Sequence, residues 1–305
     1  MAACGGSDRS QEGGKRSKDD LVAQVASFDL AVGPPSRLTV GLLTNDQRFV
    51  AFGTVQLRFA YLGTRENRAP GAYGAPVTAT FLPIPGTTLP AQPPSQPQLV
   101  SPSEARGVYA AQAGFDRAGF WQLEVNASVG GTPRRATAAF AVNEKHAIPA
   151  PGDAALPTEN LTLASTDAPK AAIDSQAATG EITDPELHRT TIAAALAAKR
   201  PAVVVFATPV YCQSRFCGPV TDMVAQLARS YGDRASFIHI EIWRDFQNQT
   251  VNQAAADWLL NCSMCEPWVF LIGADGNIAA RFDNVTTRDE LEPLLKQLPV
   301  IGPAT

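Results

Sequence analysis

From residue 21 to residue 142 apolar and polar positions alternate in short runs, most clearly in Val55-Gln56-Leu57-Arg58-Phe59 and Trp121-Gln122-Leu123-Glu124-Val125. Successive side chains of a strand point to opposite faces, so a period of two reads as strands with one face buried. The pattern predicts seven strands, over 28–32, 37–43, 54–61, 76–82, 108–115, 121–129 and 137–142, divided by Gly/Pro turns. The proline-rich stretch 83–102 reads as a long exposed loop.

Beyond Val142 the pattern changes twice. Residues 146–182 are rich in Ala, Pro, Thr and Asp without a sustained period, which predicts an interdomain linker. From 183 to 305 helical and strand patterns alternate. Thr183 and Glu186 have capping-box spacing, with Pro185 between them, and predict a helix running to Lys199. The apolar run 202–206 predicts a buried strand. Val220, Met223, Val224, Leu227 and Tyr231 share one face of a helix over 219–231. A strand over 236–243 follows, then a helical insertion in which Val251, Ala254, Ala255, Trp258 and Leu259 recur at helical spacing. Strands over 268–272 and 278–282 flank Ala274-Asp275-Gly276-Asn277, a hairpin turn. Thr287 and Glu290 cap a last helix with Leu291, Leu294, Leu295 and Leu298 inward. The chain is therefore read as multidomain. An all-β, immunoglobulin-like sandwich spans 21–145, and an α/β three-layer domain spans 183–305.

At 305 residues the chain is long enough for two domains. A net charge of −4, with no Lys/Arg cluster beyond adjacent pairs in these units, argues against a nucleic-acid surface. No apolar run approaches membrane-spanning length. His146, His188 and His239 share no metal-ligand spacing, and His239, inside Phe237-Ile238-His239-Ile240, reads as a packed core residue. Trp243, Trp258 and Trp268 read as core residues as well, with Trp268 placed to flank a cleft.

Four cysteines hold the candidate chemistry. Cys212 and Cys217 follow the buried strand 202–206 and lead into a helix with Gly218-Pro219 in its first turn. A thiol at a helix N-terminus faces unpaired N–H groups and the positive end of the dipole, which favours the reactive thiolate. A structural disulfide across so short a loop contributes only about 2 kcal/mol, so a redox pair is the reading preferred for these two residues. Cys262 and Cys265, two residues apart in spacing, add a second pair. C-x4-C with C-x2-C also suits zinc or copper(I), which keeps a metal-binding alternative open; so does a non-catalytic binding module in which both pairs are structural.

Residues 183–300 resemble the thioredoxin superfamily. The strand before the cysteine loop, the Cys217-Gly218-Pro219 helix start, the helix length to Tyr231 and Pro267 directly before a strand carry the likeness. The resemblance implies that Pro267 is a cis-proline beside the dithiol and that it binds substrate backbone, flanked by Glu266 and Trp268. It further implies thiol–disulfide exchange on protein cysteines without a cofactor, Cys212 attacking and Cys217 resolving. Cys262 and Cys265 would then form a second disulfide or relay beside the site. Three features depart from the family pattern: four residues separate the cysteines instead of two, the extra sulfurs precede Pro267, and Val203-Val204-Val205-Phe206 lacks the family's buried acid. Sco-type copper proteins share this fold but place their ligands differently.

Met1-Ala2-Ala3-Cys4-Gly5-Gly6-Ser7 resembles the end of a bacterial lipoprotein signal, and polar residues through Asp20 read as a disordered tether over 1–20. That resemblance implies lipidation of Cys4 and an extracytoplasmic protein held at the membrane.

Overall fold

A computed structural model of the protein describes residue 17 and residues 20–177, 180–212 and 214–299; Cys4 and most of the expected tether lie outside them. The first unit is a large antiparallel sheet. Its strands are β1 (Leu21–Val25), β2 (Gly33–Thr44), β3 (Phe49–Ala51), β4 (Thr54–Gly63), β5 (Val77–Pro83), β6 (Gln98–Val100), β7 (Gly107–Phe115), β8 (Gly119–Val129) and β9 (Thr132–Val142). Hydrogen bonds run in the order β6-β3-β2-β7-β5-β4-β8-β9, with β1 beside β2. The alternating residues predicted to face inward do so: Val55, Leu57, Leu123 and Val125 share one core with Leu38, Val40 and Tyr109.

The sheet differs from the expected seven strands at instructive places. The stretch 28–32 is not a strand and keeps only a bridge from Ala31 to Asn143. Its polar groups are drawn to the second unit instead, where the Phe28 N–H donates to Asp283 Oδ2 at 2.7 Å and Asp29 meets Arg281 at 2.9 Å. Strands β3 and β6 are three residues each, too short to show a period.

Residues 146–182 are not a free linker. Ile148, Ala155, Thr158 and Asn160 are buried, and a short helix α1 (Lys170–Ile173) with a following 3-10 turn folds back so that Asp174 and Ser175 are buried too. The expected helix over 183–199 is broken into a 3-10 turn, Pro185–His188, and α2 (Ile192–Ala197). Glu186 is held by Arg229 at 2.8 Å and so closes no capping box. Thr191 starts the second piece by accepting the Ala194 N–H.

The remaining elements are β10 (Ala202–Phe206), α3 (Cys217–Tyr231), β11 (Ser236–Ile240), β12 (Trp243–Asp245), β13 (Thr250–Val251), α4 (Gln253–Leu259), β14 (Trp268–Ile272), β15 (Ile278–Asp283) and α5 (Arg288–Gln297). The predicted strand 236–243 therefore ends early, and Trp243 turns into a small ribbon of β12 with β13. The main sheet is mixed, in the order β11-β10-β14-β15, with β10 parallel to β11 and antiparallel to β14. Its central strand is buried on both faces, which explains the unbroken apolar run. Ala202, Val204 and Phe206 enter a core with α2 and α4, whereas Val203, Val205 and Ala207 enter a second core with α3 and α5. The Thr287–Glu290 capping box forms as read from the sequence. Among the described residues no helix is long and apolar enough to cross a membrane.

Two arginines join the units. Arg37 on β2 reaches Glu290 at 2.7 Å, Asp283 at 3.3 Å and the Val285 carbonyl at 2.5 Å. Arg281 on β15 reaches Asp29 and the carbonyls of Ile148 and Pro149. A small apolar cluster of Ile84, Val108, Val285 and Phe216 lies in the same seam. Burial alone would raise the Asp29 pKa, but hydrogen bonds from His146, the Ala147 N–H and Arg281 outweigh it and lower the value from 3.8 to about 2. A depressed acid stabilises the fold above its unfolded pKa and loses that contribution as pH falls through the folded one. Asp29 thus supplies about 2 kcal/mol that is present above pH 4 and disappears towards pH 2. Arg281→Met leaves Asp29 buried without its arginine, with only the Ala147 N–H, Asn143 and His146 beside it, and we expect it to lower stability by about 3–5 kcal/mol in urea titration at pH 7. A loss below about 1 kcal/mol would contradict the seam's role.

Candidate functional site

Strand register assembles the site. Phe206 pairs with Trp268 in the antiparallel ladder and with Ile240 in the parallel one. Continuing β10 by two residues therefore carries Thr208 between Glu266 on one side and Glu241-Ile242 on the other. Contacts follow the register: the Thr208 N–H donates to Glu266 Oε2 at 2.5 Å, and the Ile242 N–H donates to Thr208 Oγ1 at 3.2 Å.

The cysteine loop leaves from this point. Cys212 and Cys217 are joined as a disulfide, Cys217 on the first residue of α3. Cys217 is fully buried, whereas Cys212 is partly exposed and lies 3.2 Å from the Ser214 hydroxyl. A Glu266 carboxylate oxygen and the two sulfurs all lie within 4.8 Å of one another. The Glu266–Pro267 peptide is cis.

Cys262 and Cys265 form the second disulfide, just ahead of Glu266. The four sulfurs thus pair internally, and among the described residues no four-cysteine group of converging ligand atoms occurs. Trp268, expected to touch substrate, is packed inside the protein. It is buried, stacks on Phe270, donates its indole N–H to Cys265 Sγ and carries the Arg281 guanidinium over its ring.

A cleft of about 820 Å³ opens between the units beside this loop. Ala26, Phe28 and Val108 line it from the first unit, and Tyr211, Phe246 and Met264 from the second. The Tyr211 and Phe246 rings stack in parallel at 4.0 Å, giving the cleft a flat aromatic wall. Cys265 and Glu266 border the same space.

Behind the dithiol lies a group of buried ionisable residues. Burial raises Glu266 to about 7 against the lowering influence of the Thr208 N–H and hydroxyl. Burial raises Glu241 further, to about 8, with the Ser175 and Thr208 groups opposing and the Asp174 charge adding to it. His188 is lowered to about 3 by burial and by His239. Burial lowers His239 below the ordinary imidazole value, countered by its contact with the Ala207 carbonyl at 3.0 Å. Asp174, His239 and Glu241 lie close together, yet the protein already engages each. Asp174 accepts the Gln176 N–H, His239 Nε2 meets the Ala207 carbonyl, and Glu241 Oε1 accepts the Ser175 N–H at 2.6 Å. Glu241 Oε2 is left without a partner.

Sequence reasoning placed Cys212, Cys217 and Pro267 together and found Glu266 only as a neighbour of the proline. It missed Thr208 and Glu241. The available signal was a glutamate inside the apolar run 237–243, a position where an acid must find partners or lose its charge. Compared with known proteins, the chain matches no family model and no curated protein sequence.

The second disulfide closes a loop of four residues, for which chain entropy gives about 2 kcal/mol. We expect Cys262→Ser/Cys265→Ser to lower stability by about that amount in denaturant titration and to leave chemistry at Cys212 intact. Unchanged stability with lost turnover would mark the pair as an electron relay instead.

Proposed function

We propose that the protein is a thiol–disulfide oxidoreductase with a thioredoxin-like domain, borne outside the cytoplasm on a lipid anchor at Cys4, with an immunoglobulin-like unit beside it. The observation that carries the reading is the Cys212–Cys217 disulfide at a strand-to-helix junction, with Cys212 partly exposed, Cys217 buried, and a carboxyl group within 4.8 Å of both sulfurs. A purely structural staple needs neither the asymmetry nor the carboxyl group.

In the reduced protein the Cys212 thiolate attacks a substrate disulfide, forming a mixed disulfide and expelling one substrate thiolate. Cys217 then attacks Cys212 Sγ, the mixed bond breaks towards the substrate, and its second sulfur leaves as thiolate. Two electrons pass from the dithiol to the substrate, and two protons go to the departing sulfurs. Run backwards, the same steps oxidise a substrate dithiol. The helix N-terminus at Cys217 and the exposure of Cys212 suit these roles. Substrate chain would occupy the cleft along the Met264–Pro267 loop, with the first unit as its opposite wall.

Cys212→Ser is expected to reduce disulfide exchange with a protein substrate to background, because no thiolate remains to open the mixed disulfide. Cys217→Ser should accumulate that mixed disulfide, visible as a covalent adduct on a non-reducing gel. Undiminished exchange by Cys212→Ser would overturn the assignment.

A further inference from the structure

We propose that Asp174, His239 and Glu241 form a buried site for one divalent metal ion of the zinc type, with His188 beside it as a further nitrogen donor. None of these residues belongs to the dithiol or lines the cleft beside it, so the inference goes beyond the exchange reading and does not depend on it.

Backbone geometry brings the donors together. His239 lies on β11 and Glu241 is the first residue past it. Two positions apart in an extended chain, their side chains leave on the same side. Asp174, the C-terminal cap of α1, reaches the same place from the segment that folds back. One ligand atom from each of the three lies within 4.8 Å of the others, and His239 Nε2 is 3.9 Å from Glu241 Oε1. Donor atoms about 2.0–2.2 Å from a tetrahedral ion stand roughly 3.3–3.6 Å apart, so modest side-chain rotation closes the set. His188 arrives from the 3-10 turn packed on β11, its ring centroid 5.2 Å from that of His239. Two atoms here are unsatisfied. Glu241 Oε2 and His188 Nδ1 are buried without a hydrogen-bond partner, an arrangement that is costly unless something binds them.

Charge points the same way. Elsewhere in the molecule a buried carboxylate meets a guanidinium: Asp29 meets Arg281, Asp283 meets Arg37 and Glu124 meets Arg58. Among the described residues Asp174 and Glu241 form no ion pair with an arginine or a lysine, although both are buried. Burial lowers the proton affinity of His188 and His239, which disfavours a positive charge on either and leaves imidazole nitrogen to ligate. A divalent cation balances two carboxylates and accepts neutral imidazole, which is the charge and donor type on offer. It takes the place of the proton that burial, raising Glu241 to about 8, otherwise keeps on that side chain.

The contacts already made are compatible with the ion. Glu241 Oε1 accepts the Ser175 N–H, which leaves Oε2 to ligate. Asp174 Oδ1 accepts the Gln176 N–H, and a carboxylate keeps further lone pairs. His239 Nε2 faces the Ala207 carbonyl at 3.0 Å, and the tautomer with its proton on Nδ1 frees Nε2 for the metal. The ion's work is then structural: it pins the segment bearing Asp174 to the end of β11. Ser175, the next residue, accepts the Val210 N–H at 3.3 Å, so the brace supports the start of the cysteine loop.

The test is calorimetric titration of zinc ions into the full-length, chelator-treated chain with both disulfides formed, repeated with cobalt(II) as an optical probe. The wild type should bind one zinc ion per chain, and zinc should raise its thermal midpoint. Bound cobalt should show visible d–d absorption without a thiolate charge-transfer band, because the ligands are nitrogen and oxygen. Glu241→Gln and His239→Gln should each weaken zinc binding by more than the roughly 10–100-fold that loss of a supporting partner costs. Both should abolish the zinc-dependent rise in midpoint. Glu241→Gln keeps the shape and neutrality of the protonated acid, so its midpoint without zinc should match the wild type, which separates lost ligation from lost fold. No saturable binding, a thiolate band with cobalt, or undiminished zinc affinity in Glu241→Gln would overturn the site.

Discussion

A half-buried carboxyl group beside a disulfide is the constraint around which this molecule is arranged. Glu266 is only partly open to water, so its proton affinity depends also on what the protein supplies, chiefly the Thr208 N–H. The supply is fixed by backbone register. Because Phe206 pairs with both Trp268 and Ile240, the chain emerging from β10 must pass between the ends of its two neighbours. The cysteine loop, the cis-proline loop and Glu241 therefore meet at one end of one strand. Moving any ladder by a residue would separate them and turn the apolar faces of β10 out of their two cores.

The first unit enters this arrangement as more than a spacer. Arg37 and Arg281 cross the seam in opposite directions, each satisfying a carboxylate that the other unit buries. Paired buried charges of this kind add little net stability over apolar packing but are costly to break. They fix one relative placement of the units, and that placement leaves the cleft open beside Cys212. Phe28, which follows β1 in the chain, lies against Trp268 from the second unit with ring centroids 6.1 Å apart. Packing in the seam is thus continuous with packing under the cis-proline loop.

Much of this was legible in the sequence, and the exceptions have physical causes. Alternation in Val55–Phe59 and Trp121–Val125 found the antiparallel strands because each turns one face of apolar residues into the core and a polar face away from it. The run 202–206 and the Thr287–Glu290 box were equally plain, since local chemistry decides them. The stretch 28–32 misled because the Phe28 ring and N–H and the Asp29 carboxylate are engaged across a seam that no local pattern reports, while Leu30 and Val32 stay in the first unit's core. Residues 183–199 misled because Arg229, over forty residues away, takes Glu186 out of its cap. At the site, the sulfurs announced themselves by spacing and the proline through the family resemblance. Thr208 and Glu241 did not, because their importance comes from ladder register, which a linear reading does not contain.

The central claim is that Cys212–Cys217 is a working disulfide in the folded protein. The direct measurement is equilibration of the native chain in graded thiol–disulfide buffers, followed by acid quench, alkylation and mass spectrometry of each cysteine peptide. The account predicts that Cys212 and Cys217 reach redox equilibrium while the fold stays intact. Inertness of the Cys212–Cys217 bond until denaturant unfolds the chain would contradict it.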